Sequence, residues 1–255
     1  MAKYNKIGKV ISQYQMATDI YSMWIEMKEI AHEARPGQFI SLYCKDASRL
    51  LPRPISICEL NGREGIIRIV YRVVGHGTEE FSGYQSGDTI KLLGPLGNGF
   101  PLENKKKAFL IGGGIGIPPL LELAKNLECK KEIILGYRSE LFLQDELDQY
   151  GNISISTEDG SRGVKGTVID AIRENNLNAE VIYACGPTPM LRAVKEYARE
   201  HNMEAWISME EKMACGIGAC LACVCRSKDL DDHSHVHNKR ICKDGPVFLA
   251  EEIQL

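Results

Sequence analysis

The chain has 255 residues, enough for roughly two domains with room for a small third. Lys and Arg number 31 against 34 Asp and Glu, a formal charge of −3 that argues against a nucleic-acid-binding surface, where a basic excess is expected. The longest uncharged stretch, Ala108–Leu121, is too short and too rich in Gly and Pro to span a bilayer, and MAKYNKIGKV lacks the apolar core of a leader, so a cytoplasmic location is expected. In the first hundred residues Tyr21, Met23, Ile25 and Met27 alternate with polar or larger neighbours, the period of a half-buried strand. Similar runs at 37–44, 53–59, 66–74 and 89–93, separated by turns such as Arg35-Pro36-Gly37 and Asn61-Gly62, predict a small antiparallel β-barrel over 1–100. The stretch Gly94-Pro95-Leu96-Gly97-Asn98-Gly99 reads as a linker.

From Lys107 the rhythm changes. Short apolar strands at 108–111, 132–135, 153–157, 180–184 and 205–209 alternate with helical patterns at 118–127, 143–150, 167–175 and 189–200. Such alternation predicts a doubly wound parallel sheet, assigned here to 101–209. The remainder, 210–255, is cysteine-rich and then polar, with little core of its own.

Nine cysteines are too few for a disulfide scaffold, and four of them fall between Cys215 and Cys225. Cys215, Cys220, Cys223 and the later Cys242 have the C-x₄-C-x₂-C…C spacing of plant-type [2Fe–2S] ferredoxins. Gly216, Gly218, Ala219 and Ala222 let such a loop close tightly around a cluster, and its N–H groups can tune the sulfurs. A structural zinc site is the alternative, although zinc loops favour two C-x₂₋₄-C halves.

Gly112-Gly113-Gly114-Ile115-Gly116 follows a strand and opens a helix, a place where a pyrophosphate can meet helix N–H groups. Ile117 stands where a third fingerprint glycine belongs, so a simple tight turn is the competing reading. Three more loops end predicted parallel strands: Gly136-Tyr137-Arg138, Thr157–Gly160, and Cys185-Gly186-Pro187-Thr188. Ligands bind outside the carboxyl ends of such strands, so a dinucleotide crevice is expected there. On the barrel, Arg53-Pro54-Ile55-Ser56, Tyr71-Arg72 and Gly75–Thr78 could meet a phosphate and stack a ring, or Arg53 could be an ordinary surface residue. His233, His235 and His237 invite a metal, but their polar surroundings read as a solvated loop; Cys44, Cys58 and Cys129 read as small apolar packers.

Arg53-Pro-Ile-Ser56, the glycine turn at 112–116 and Cys185-Gly-Pro-Thr-Pro-Met190 together resemble the ferredoxin–NADP reductase superfamily. The segment Cys215–Cys225 with Cys242-Lys-Asp-Gly-Pro-Val-Phe248 narrows this, over essentially the whole length, to electron-transfer subunits of heteromeric NAD-dependent dihydroorotate dehydrogenases. The resemblance implies FAD, one [2Fe–2S] cluster and NAD. It implies that Arg53, Pro54, Ile55 and Ser56 hold the flavin and its pyrophosphate, with Val70, Tyr71, Arg72, Gly77 and Thr78 completing the site. It also implies an FMN-containing catalytic subunit as partner, two copies of each chain, and a place in pyrimidine biosynthesis. A relay of the same build serving a ferredoxin or a hydrogenase is the alternative, and a zinc-stabilised interaction module a remote one. Arg138 leaves NAD against NADP open, since an arginine there can accommodate a 2′-phosphate.

Overall fold

The computed structural model describes residues 3–103, 105–230 and 235–255. Its first body is a closed barrel of six strands: β1 (Tyr4–Ala17), β2 (Ile20–Glu26), β3 (Phe39–Tyr43), β4 (Arg53–Asn61), β5 (Ile66–Arg72) and β6 (Thr89–Leu96), antiparallel in the order β1-β2-β5-β4-β3-β6. Met23, Ile25, Ile40, Leu42, Ile57, Ile67, Ile69 and Leu92 fill it, one face of each strand, as period-two alternation requires. Two short helices, α1 (Lys28–Glu33) and α2 (His76–Ser82), cover its ends. The expected linker is a correction. Gly94, Pro95 and Leu96 are the buried end of β6, and a side chain at Gly94 would stand 2.6 Å from Ile40 Cγ2, so glycine serves close packing there.

The second body is a seven-stranded sheet in the order β10-β9-β8-β7-β11-β12-β15. Its parallel members are β7 (Lys107–Gly113), β8 (Lys130–Tyr137), β9 (Asn152–Thr157), β10 (Val164–Lys165), β11 (Val181–Cys185) and β12 (Glu204–Ser208). Helices α3 (Pro119–Asn126) and α4 (Gln144–Asp148) pack on one face. Helices α5 (Val168–Glu174) and α6 (Thr188–Glu200) pack on the other, so the sheet is doubly wound.

The cysteine segment forms a hairpin, β13 (Val224–Arg226) with β14 (Asn238–Arg240), then a turn of helix, α7 (Ile241–Asp244). The chain then re-enters the large sheet as β15 (Val247–Leu249), antiparallel to β12. Cys223, Ile241, Cys242 and Phe248 share a core with Phe39 and Leu96 of the barrel and with Ile207 of the sheet. The cluster segment is therefore seated on both other bodies. No helix is long and apolar enough to cross a membrane among the described residues.

Candidate functional site

Along β4 the side chains of Ile55 and Ile57 face the barrel interior, which leaves Pro54, Ser56 and Cys58 on its outer face. Arg53 crosses the rim and lies against Gly77 at the start of α2, so closely that any side chain at position 77 would collide with the guanidinium. Thr78 is less free than the sequence suggested. Its hydroxyl accepts from the N–H of Val74 (2.9 Å) and of Gly75 (3.3 Å), fixing the turn into α2. Tyr71 is a correction: its ring faces the barrel core, stacked on Tyr21 with centroids 6.0 Å apart, and its hydroxyl donates to Gln13 Oε1 (2.9 Å). Burial holds its phenol well above the usual range. It cannot stack a ligand on the outer face, and only its backbone lies there. Val70 and Arg72, one residue to either side, face outward.

The nucleotide loops come together as the parallel order requires. Cys185 is level with Gly112, Gly113 with Gly136, and Tyr137 with Thr157, so all four loops leave one edge of the sheet. Gly116 touches the Cys185 carbonyl, and a side chain on it would stand 2.6 Å from the Gly186 Cα. One on Gly113 would meet Met190 Sδ at 2.5 Å and Pro187 Cδ at 3.1 Å. A side chain on Gly114, at φ +52°, would stand in ordinary contact with the Arg72 guanidinium, 3.8 Å away. Barrel and sheet thus face each other across a crevice between Arg72 and Gly114. The Cys185 thiol itself is fully buried and its pKa is raised by that burial, so this residue meets the crevice through its backbone. Arg138 is exposed and paired with Glu158 at 3.7 Å. A hollow lies elsewhere, at the amino-terminal end of the sheet among Lys105, Lys107, Lys130 and Lys131.

The cysteines are arranged as two pairs. Cys215 and Cys220 have sulfurs 3.2 Å apart, and the Cys242 N–H points at Cys223 Sγ (3.5 Å). The Gly218 N–H ties the halves together by donating to Cys242 Sγ (3.1 Å). Positive φ at Gly216 (+68°) and Gly218 (+82°) turns the loop inward. Burial pushes the Cys215 thiol up, but N–H groups of Cys220 and Ile217, the Cys220 thiol and the Ala219 N–H outweigh it and bring it down to about 6. Cys242 is pushed up to about 12 by burial and the adjoining Cys223 sulfur. Two thiol pairs with N–H groups aimed at sulfur fit a two-iron cluster, whose irons take two thiolates each. Cys225 points elsewhere: its thiol donates to the Lys239 carbonyl (3.5 Å), and burial pushes it up to about 11.

Two residues that hold this arrangement carried no sequence signal. Asn98, in the supposed linker, donates to the carbonyls of Val247 (2.7 Å) and Asp244 (3.2 Å) and accepts from the Val247 N–H (3.0 Å), stapling the cluster segment to the barrel's exit. Gln38 donates to the Gly97 carbonyl (2.7 Å) beside it. His233 lies outside the described residues, and His235 and His237 are exposed.

A barrel with an arginine at its rim, a nucleotide sheet across a crevice and a two-pair cysteine segment define an oxidoreductase of the ferredoxin reductase build. Residues 210–254 match the iron–sulfur cluster binding domain of dihydroorotate dehydrogenase B. The electron transfer subunit of dihydroorotate dehydrogenase B (NAD(+)) from Bacillus velezensis is 44% identical, over 96% of this chain and 97% of that one. Its counterpart from Fusobacterium nucleatum is 43% identical, over 94% and 95%. The chain belongs to this family of dihydroorotate dehydrogenase B electron transfer subunits. Among solved structures, the NADH-dependent reduced ferredoxin-NADP oxidoreductase, described for flavin-based electron bifurcation, superposes with a TM-score of 0.88 at 30% identity, covering 98% of this chain and 91% of that one. The ferredoxin reductase of carbazole 1,9a-dioxygenase shares the fold at a TM-score of 0.67 and 18% identity, over 80% and 67%.

Proposed function

We propose that the chain carries electrons between a dihydroorotate dehydrogenase catalytic subunit and NAD⁺, with FAD and one [2Fe–2S] cluster as its bound carriers. Bound FAD supplies the exchange between the two-electron chemistry of nicotinamide and the single electrons an iron–sulfur cluster takes. The protein's own part is to bind, orient and exclude. Arg53, whose Nη1 donates to the Leu51 carbonyl, would turn the Nε and Nη2 edge of its guanidinium, lying against Gly77, to a pyrophosphate. Pro54, Ile55 and Ser56 present the strand to the flavin, Val70 and Arg72 close its flank, and Tyr71 and Thr78 support it through backbone and turn. Gly112, Gly113, Gly114 and Gly116 with Gly186 and Pro187 let the dinucleotide approach backbone, with Arg138 and Glu158 exposed at the loop ends, and the NAD(+) of the relatives' names favours NAD. Cys215, Cys220, Cys223 and Cys242 hold the cluster.

The observation that carries this reading is the seating of the paired cysteines on β3 and β6 of the barrel, at Ser41 and Leu96, with Pro54 of β4 paired beside Ser41. A flavin (β/α)₈ barrel for dihydroorotate needs about 250 residues, and none of the three described bodies is one, so we assign the dihydroorotate chemistry to an FMN-bearing partner, with two copies of each chain. Iron, acid-labile sulfide and flavin analysis of the purified chain tests the carriers: FAD with two irons per chain is expected, and zinc without flavin would contradict it. The likeness to the reduced ferredoxin-NADP oxidoreductase favours a second reading, a relay serving a ferredoxin-linked partner. The identity of the chain that co-purifies from the native cell separates the two.

A further inference from the structure

Ser41 lies at the middle of β3, with Ile40 and Leu42 on either side pointing into the barrel core. Its own side chain is therefore on the outer face, level with Pro54 on β4 and with Leu93 on β6. An outward serine on a barrel normally meets water. This one is wholly buried, and its Oγ has no hydrogen-bond partner among the described residues. What covers it is the cysteine loop: the Oγ is 3.1 Å from where a side-chain carbon on Gly216 would stand, next to Leu96 at 3.3 Å. Gly216 directly follows Cys215, and its φ of +68° and missing side chain are what allow the approach. A buried hydroxyl without a partner is costly, so its retention at this point calls for a partner that arrives with the cofactors.

We propose that the Ser41 hydroxyl donates a hydrogen bond to the sulfur shell of the cluster at Cys215 and so raises its reduction potential. Hydrogen bonds to cluster sulfurs stabilise the more negative, reduced state. The loop already directs the N–H groups of Ile217, Ala219 and Cys220 at the Cys215 sulfur. Ser41 adds a donor from a different body, so that the docking of the cysteine segment on the barrel and the potential of the cluster are coupled. Ser41 is a positioning and tuning residue, opposite the strand proposed for the flavin.

The proposal rests on the cluster reading above, and the test separates their failures. Ser41→Ala and Ser41→Thr are purified with wild-type protein, and iron, sulfide and flavin contents, the cluster and flavin midpoint potentials, and proton hyperfine couplings of the reduced cluster in H₂O and D₂O are measured. Ser41→Ala is expected to keep wild-type iron and FAD, to move the cluster potential negative, and to lose one exchangeable-proton coupling; Ser41→Thr restores both. The iron-free Ser41→Ala chain melts no lower than iron-free wild type, because the variant removes an unpartnered hydroxyl. An iron-replete Ser41→Ala with unchanged cluster potential, a shift in the flavin potential alone, or loss of iron from the variant would each overturn the tuning role. Wild-type chain free of iron and sulfide would overturn the cluster reading as well.

Discussion

Cys223 and Cys225 stand one residue apart and have different partners. Cys223 Sγ receives the Cys242 N–H, whereas the Cys225 thiol donates to Lys239 across the hairpin. Cys242→Ser should lose most of its iron and visible absorbance, and Cys225→Ser should keep both; iron analysis with an absorption spectrum decides, and the reverse outcome reassigns the fourth thiolate. Spacing made all four cysteines legible. What it could not show is how Cys242 returns to Cys223 across 19 residues, which the β13–β14 hairpin brings about. For Arg53 the structure adds the contact with Gly77. Arg53→Ala should purify with its cluster but with flavin occupancy reduced about tenfold or more, and Arg53→Lys should not rescue it, since an ammonium lacks the paired donors. Full occupancy in Arg53→Ala would remove the residue from the site.

The turn from β7 to α3 shows what an element owes to one atom's worth of space. In Gly116→Ala the new methyl meets backbone of the β11 loop on both Cys185 and Gly186, and neither can yield without separating two strand ends. The variant should lose about 1–3 kcal/mol of stability and raise the KM for NADH. Gly114→Ala, whose methyl would meet Arg72 only at ordinary contact distance, carries chiefly the backbone strain of φ +52°, about 1 kcal/mol. Denaturant midpoints and NADH kinetics of the two compared would show it; equal effects would contradict the contact. Most strands were legible because their alternation is set by the core. β1 was not: Ile7, Ile11 and Tyr14 face solvent while Gly8 and Val10 face inward, so its apolar residues mark the wrong side. Helix α2, with seven residues, is too short to show a period. The composition of Gly94–Gly99 imitates a linker, yet Leu96 is core and Asn98 is a staple, roles that depend on what returns from residues 244–247.

Across the whole molecule, barrel and nucleotide sheet are joined by a polar seam that no local pattern announces. Arg68 on β5 is buried; its Nε donates to Ser22 (2.9 Å), and its Nη atoms donate to Tyr14 (2.8 Å), to Glu59 of the barrel and to Glu146 of α4. Lys125 of α3 pairs with Glu59 at 3.0 Å, and the Leu60 N–H donates to Glu122 at 2.8 Å. Arg68→Ala leaves Glu146 without its cation and Glu59 with Lys125 alone. Both carboxylates can partly reach water, so the loss should fall at or below the lower end of the range for a broken buried pair, about 2–3 kcal/mol. Thermal unfolding should then resolve into two steps as the bodies uncouple, and a single unshifted transition would contradict the seam. On the proposed reading this chain exchanges electrons between NAD(H) and its cluster and leaves dihydroorotate oxidation to the catalytic subunit. Anaerobic titration of the purified chain, followed by visible absorbance and low-temperature EPR, tests it most directly. NADH should bleach the flavin and bring up the signal of a reduced [2Fe–2S] cluster, while dihydroorotate does neither until the catalytic subunit is added; reduction by dihydroorotate alone, or no reduction by NADH, would contradict it.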